Sequence, residues 1–284
     1  MSPALPFPTR PIRPLDLEGG VAARWFAAEG SPRATVLVLG ALAAPQRYAA
    51  PLSGALARAG FEVLTFDYRG VGASRGAGVP TTNLDDWGDD ARVALAAARE
   101  LSGAGLVLAL AHSIGGMLVG HAGLSELEGA LLLASSHGVP RYYSGRARLR
   151  LEAAYRVLPR LAAVRGELPA SRRLLGHAVP RDVLRHWVAW GRRARFHRFD
   201  GRDTTAEFAR YQGPLLAAKI AGDDYVSDEA ADALTRHFRA AQVRRVVLDP
   251  PGVPPLGHFG LFRADAPPAA VEQVVAWLSE LAQG

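Results

Sequence analysis

Six short apolar runs, separated by stretches of helical periodicity, restrict this chain more than any other feature. They are ATVLVLG (34–40), FEVLTFD (61–67), GLVLALA (105–111), GALLLAS (129–135), PLLAAKIA (214–221) and VRRVVLD (243–249). Runs of this length read as strands. Between and after them, RYAAPLSGALARAG, LDDWGDDARVALAAAREL, GGMLVGHAGL, SDEAADALTRHFRA and AVEQVVAWLSELA place apolar residues at helical spacing. A strand apolar on both faces must be covered on both, and helices alternating with parallel strands do this. The expected fold class is α/β: a mostly parallel central sheet with helices on both faces. DLEGGVAARWFAAEG, ahead of the first run, is expected to add one or two antiparallel edge strands.

The alternation breaks once, between Ala134 and Pro214, where helical patterns are punctuated by Pro159, Pro169 and Pro180. We expect an inserted helical cap over 137–212, between core segments 1–136 and 213–284. The charge is concentrated there. Residues 141–210 hold 17 Arg against 6 Asp or Glu, a balance of +11, while the rest of the chain holds 16 against 21, or −5. Every basic residue except Lys219 is Arg. RARLRLEAAYRVLPRLAAV reads as an amphipathic helix with a solvated face. No nucleic-acid motif accompanies the charge, so nucleic acid is not an expected partner.

Other classes fall away on composition. With no Cys, disulfides and thiolate metal sites are excluded. MSPALPFPTRPIRPLDLEGG carries four Pro in its first eleven residues and lacks the apolar core of a signal peptide. No run approaches the length of a membrane-spanning helix. The expected location is the cytoplasm, and oligomeric state is not readable. GVGAS lacks the Lys-Ser/Thr of a phosphate loop, so no nucleotide cofactor is expected, nor any other. Asp85, Asp86, Asp89 and Asp90 read as acids favouring a helix start rather than metal ligands, and no metal is expected. His121, His137, His177, His186 and His197 are expected as surface or cap residues. Trp187 and Trp190, three apart, read as one packed face.

LVLALAHSIGGMLVG holds the residue that matters most. Ser113 stands where an apolar strand meets a helix whose first turn has almost no side-chain bulk. A plain N-cap would explain a serine there. So would a nucleophile held on a strained strand-to-helix turn, which needs small residues two before and two after it. Ala111 and Gly115 meet that need. The chain order favours the nucleophile. An acid follows the later strand 214–221, as Asp223 or Asp224. His258 follows 243–249, in the loop PPGVPPLGHFGLF. Serine, acid and histidine thus leave three separate strand ends in the order such a triad needs on this fold.

These residues make the chain resemble the α/β-hydrolase superfamily, from about residue 20 to the C-terminus apart from the cap. GFEVLTFDYRGVGAS resembles its D-x-R-G-x-G-x-S loop, and AHSIGG its G-H-S-x-G-G, with Ala111 in place of the first Gly. GHFGLF and GALAAPQRY are similar to loops of a group of bacterial members. The resemblance implies Asp224 as the triad acid, with Asp223 as the alternative. It also implies an oxyanion hole from the backbone N–H groups of Ile114 and Ala41. Leu39-Gly40-Ala41 stands where relatives carry H-G-x, but a backbone donor does not depend on that side chain. His258 would act as base, oriented by the acid, and His112 would pack or hydrogen-bond at the elbow. A serine nucleophile favours acyl transfer on a small-molecule ester, thioester or amide. Two other readings stand beside it: a non-catalytic binding protein of the same fold, and a basic nucleic-acid or membrane-surface binder.

Overall fold

A computed structural model describes residues 10–76, 81–170 and 177–283. The proline-rich opening as far as Thr9 lies outside the described residues, as do the cap arginines Arg172 and Arg173.

The chain opens with β1 (Arg13–Leu17) and β2 (Val21–Phe26). It continues through β3 (Thr35–Leu39), α1 (Ala50–Arg58), β4 (Glu62–Phe66), α2 (Leu84–Leu101), β5 (Val107–His112), α3 (Ile114–His121) and β6 (Gly129–Leu133). An inserted segment follows, with α4 (Gly145–Arg165), the two-stranded β7 (Glu167–Leu168) and β8 (Val179–Pro180), α5 (Arg181–Arg193) and α6 (Thr205–Phe208). The sheet resumes with β9 (Pro214–Ile220), α7 (Asp228–Thr235), β10 (Gln242–Leu248) and α8 (Pro268–Leu281). Each of the six expected strands forms.

The main sheet has the order β1-β2-β4-β3-β5-β6-β9-β10. β1, β2 and β4 pair antiparallel and the remaining neighbours pair parallel. The period of two along each strand divides the core. Leu37, Leu39, Ala109 and Ala111 meet α2 and α3 on one face. Val36, Val38, Leu108 and Leu110 meet α1 and α8 on the other. β10 is the exception, since as an edge strand it leaves Arg244, Arg245 and Val247 exposed.

The strand order also positions the site. From β3 the chain steps to β4 on one side, and from β4 it crosses back to β5 on the other. The loops after β3 and β5 therefore diverge and leave a crevice, the place where open parallel sheets bind ligands. Parallel register aligns Leu39 with Ala111, which brings the loop carrying Ala41 level with Ser113.

Candidate active site

Ser113 occupies the turn between β5 and α3 with φ 57° and ψ −116°, a conformation L-residues rarely adopt. Such strain costs on the order of 1–3 kcal/mol and persists only where the surroundings impose it. Here they do. Ser113 N–H donates to the Leu133 carbonyl at 3.0 Å. A Cβ on Gly115 would lie 2.4 Å from the Leu39 carbonyl oxygen, and one on Gly116 would lie 2.4 Å from Ser135 Oγ. The helix is pressed against β3, and only glycine fits. Ser113 makes no side-chain cap hydrogen bond, which removes the plain N-cap explanation.

Asp223, not Asp224, meets the histidine. His258 Nδ1 lies 2.8 Å from Asp223 Oδ2, with the two side chains 6% and 4% exposed. Asp224 instead points outward, 66% exposed, and accepts from Arg150 Nη1 of α4 at 2.8 Å. The resemblance missed this register by one residue, and the turn explains why. Asp223 N–H closes onto the Ile220 carbonyl at 3.1 Å, and Gly222 takes φ +76° with its Cα facing Pro255 of the histidine loop. That turn aims the first aspartate inward. Asp223 Oδ1 also accepts from Tyr225 N–H at 2.7 Å, fixing the carboxylate.

A carboxylate can only accept, so His258 Nδ1 donates to Asp223, which leaves Nε2 as the other ring nitrogen. The histidine loop is tied down twice. Gly257 N–H donates to the Ala221 carbonyl at 3.1 Å. His112 Nε2 lies 2.9 Å from the His258 carbonyl, an acceptor, so His112 donates. Burial, and then the neighbouring His258, hold the His112 pKa well below the usual histidine range. His112 is thus a neutral donor, its ring tilted against that of His258 with centres 4.7 Å apart. Among the described residues Ser113 Oγ makes no hydrogen bond to His258. Such contacts are often loose before substrate binds.

Ile114 is the first residue of α3, so its N–H has no partner within the helix. Ala41 lies in the loop after β3, and its carbonyl accepts from Ala44 N–H at 3.1 Å. A brace that sequence reasoning missed supports this loop. Asp67 Oδ1 accepts from Gln46 N–H at 2.6 Å, and Asp67 Oδ2 from Gln46 Nε2 at 3.2 Å and Ala73 N–H at 2.9 Å. Gln46 Oε1 accepts from Thr65 Oγ1 at 2.9 Å. Both residues stand in stretches quoted for the resemblance; what the sequence did not show was that they bind each other. Behind the loop a pocket of about 370 Å³, open to solvent, is lined by Gly40, Ala41, His112, Phe259 and Phe262 among others. It adjoins the serine and histidine loops, but Ser113 and His258 do not line it.

The remaining candidates have structural partners. Asp85 Oδ1 lies 2.8 Å from His121 Nε2, Asp86 completes a capping box with Asn83, Asp89 pairs with Arg92, and Asp90 holds Arg69 at 2.6 Å. His121, His137, His186 and His197, expected as surface or cap residues, are all buried. His177 lies 2.7 Å from Arg47. Trp190 packs on His121 and Phe196, and Trp187 on Tyr155.

The family profile described as serine aminopeptidase, S33, matches residues 30–249. The chain belongs to this family of α/β-hydrolases. It is thus a member of an enzyme family, and solved structures agree on the fold. A soluble variant of monoglyceride lipase from Saccharomyces cerevisiae superposes with a TM-score of 0.67 at 12% identity, covering 98% of each chain. A metagenome-derived lipolytic enzyme gives 0.61 at 19% identity, covering 90% of this chain and 97% of its own. A thermostable carboxyl esterase from Bacillus coagulans gives 0.61 at 14%, covering 96% and 98%. A comparison with curated protein sequences finds no significant match. Among the described residues no helix is long and apolar enough to cross a membrane.

Proposed function

We propose that this α/β-hydrolase cleaves an ester, thioester or amide of a small molecule through Ser113, His258 and Asp223, by way of an acyl-enzyme. The observation that carries the reading is the buried His258–Asp223 pair, on loops neighbouring a serine held in strained backbone. His258 Nε2 takes the proton from Ser113 Oγ as it attacks the carbonyl carbon. The same nitrogen then protonates the leaving oxygen, sulfur or nitrogen as its bond to the acyl carbon breaks. Water repeats the sequence to release the acid. Asp223 holds the tautomer and steadies the imidazolium, and the N–H groups of Ile114 and Ala41 receive the negative oxygen. Losing one such donor costs roughly 3–4 kcal/mol of barrier. Esters come first among the three, because the relatives named above are described as lipases or esterases.

Residues 137–212 serve in this reading as a cap. Its contacts reach three loops at the strand exits: Glu167 to Arg75 at 2.6 Å, His177 to Arg47 at 2.7 Å, and Arg150 to Asp224 at 2.8 Å. A cytoplasmic location belongs to the same reading.

The missing Ser113–His258 hydrogen bond suits a non-catalytic binding protein, as do Ala111 and Leu39 where relatives carry Gly and His. Labelling by a fluorophosphonate decides between them. The expected result is one adduct at Ser113, none in Ser113→Ala, and loss of ester turnover in that variant with its melting temperature kept. An intact protein that neither labels nor turns over a panel of acyl esters would sink the proposal.

A further inference from the structure

Helix α4 has an outward face that a helix meeting only water would not need. It packs inward through Tyr155, Leu158 and Ala162. On the opposite side Leu149, Val157, Leu161 and Val164 are 67%, 48%, 45% and 84% exposed. Leu149, Ala153, Val157 and Leu161 follow one another at four-residue spacing, with Val164 three residues on, so they form a stripe along the helix. Arginines are set among them. The helix carries Arg146, Arg148, Arg150, Arg156, Arg160 and Arg165 against Glu152 alone, six positive charges to one negative. Arg148 and Arg156 share Glu152, and Arg150 meets Asp224. Among the described residues Arg146, Arg160 and Arg165 enter no ion pair.

We propose that this face docks on an anionic lipid surface and turns the mouth of the active site toward it. The substrates would then be lipophilic esters dissolved in that surface, an extension that rests on the hydrolase reading above. Aliphatic side chains interleaved with arginine suit the boundary between headgroups and acyl chains, where each type meets its own environment. The stripe also runs up to the site. Arg150, next to Leu149, lies 5.5 Å from the centre of the Tyr225 ring, and that ring lies 5.0 Å from His258. Tyr225 and Phe259 are both exposed, giving the mouth an apolar rim. Nucleic acid would use the arginines but leave the four aliphatics unused, and the one aromatic of α4, Tyr155, faces inward. A second copy docking face to face would set two such arginine arrays against each other.

The test is co-sedimentation of the full chain with phosphatidylcholine vesicles, with and without phosphatidylglycerol. Binding is expected only with the anionic lipid, and it should fall as salt is raised. Val164→Glu and the pair Arg146→Gln/Arg160→Gln should each weaken it by roughly tenfold or more. None of these exposed positions belongs to the catalytic machinery, so turnover of a soluble short-chain ester should be unchanged. Ser113→Ala should bind vesicles like the native chain, which separates docking from chemistry. Vesicle binding without turnover of any ester would overturn the hydrolase reading while leaving the surface in place. Docking is overturned by absent binding, by equal binding to zwitterionic vesicles, or by variants that bind unchanged. Tighter binding to duplex DNA than to anionic vesicles, or a dimer abolished by Val164→Glu, would overturn it as well.

Discussion

The loop edge of the sheet and the inserted segment are both well packed, yet they are held by different means. At the edge, glycine backbone admits close neighbours: α3 meets the β3 backbone through Gly115, the β9 turn meets the Pro255 ring of the histidine loop at Gly222, and Gly72 leaves no room for a Cβ beside the Asp67 carboxylate. Its polar groups are locked in short, buried bonds. The insertion instead rests on rings. Trp190, Phe196 and Phe208 pack against one another and against His121, His137 and His237. The comparison teaches where each region gives way. The edge should fail when a carboxylate or a single carbon is changed, and the insertion when charge is added.

Two neighbouring carboxylates give the sharpest test at the edge. Asp223→Asn should lower kcat by roughly ten-thousand-fold, since an amide beside Nδ1 favours the wrong histidine tautomer. Asp224→Asn should stay within a few-fold, because that side chain is two-thirds exposed and pairs with Arg150 rather than His258. Steady-state kinetics on one ester decide, and the opposite ranking would mean the turn at Gly222 is set one residue further along.

Added volume comes next. Gly115→Ala places a methyl 2.4 Å from the Leu39 carbonyl, so either α3 or the loop bearing Ala41 must move. Overpacking of this kind costs about 1–3 kcal/mol of stability, and a displaced oxyanion donor should reduce kcat by roughly a hundredfold or more. Gln46→Ala probes the same loop from its other side. It removes the side-chain part of the brace, Nε2 to Asp67 and Oε1 to Thr65, while the main-chain N–H keeps its bond to Asp67, and should lower kcat by a smaller factor, with KM little changed. A normal kcat in a stably folded Gly115→Ala protein would show that the edge tolerates more than its contacts suggest.

The two regions also differed in how far the sequence revealed them. Strands such as VLALAH are apolar on both faces, which only a covered parallel sheet explains, so the sheet and its exits could be read directly. Ser113 was legible because small residues must flank a strained corner. Which of Asp223 and Asp224 turns inward was not, because adjacent residues of one type differ only in the turn that carries them. That the histidines would be buried was not legible for another reason. His121 is buried where Asp85 and, from the insertion, Thr204 and Trp190 meet it, and His186, itself in the insertion, meets Leu84 N–H at 3.3 Å and the His197 carbonyl at 2.7 Å. No local pattern encodes such contacts between distant segments. α4 was read correctly as a helix, but its solvated face proved apolar along one stripe, since helical periodicity does not tell which of two mixed faces packs inward.

Added charge should also strain the insertion, and by less. Burial pushes the pKa of His186 down to about 4 and that of His137 down to about 3. Both folded values lie below the ordinary histidine value near 6.5, so below that pH the unfolded chain binds protons that the folded chain refuses. Stability is therefore complete above about pH 6.5 and declines as pH falls toward the folded values. Between pH 6.5 and 5 each of the two histidines should withdraw about 2 kcal/mol. His137 stacks on Phe196 with ring centres 4.3 Å apart, and its Nε2 has no hydrogen-bond partner among the described residues. His137→Phe keeps an aromatic ring there and removes the proton site, so its melting temperature should fall less steeply between pH 7 and 5 than the native protein's. If both proteins lose stability in parallel on acidification, His137 does not titrate with unfolding, and the insertion is no more sensitive to charge at that ring than the edge is.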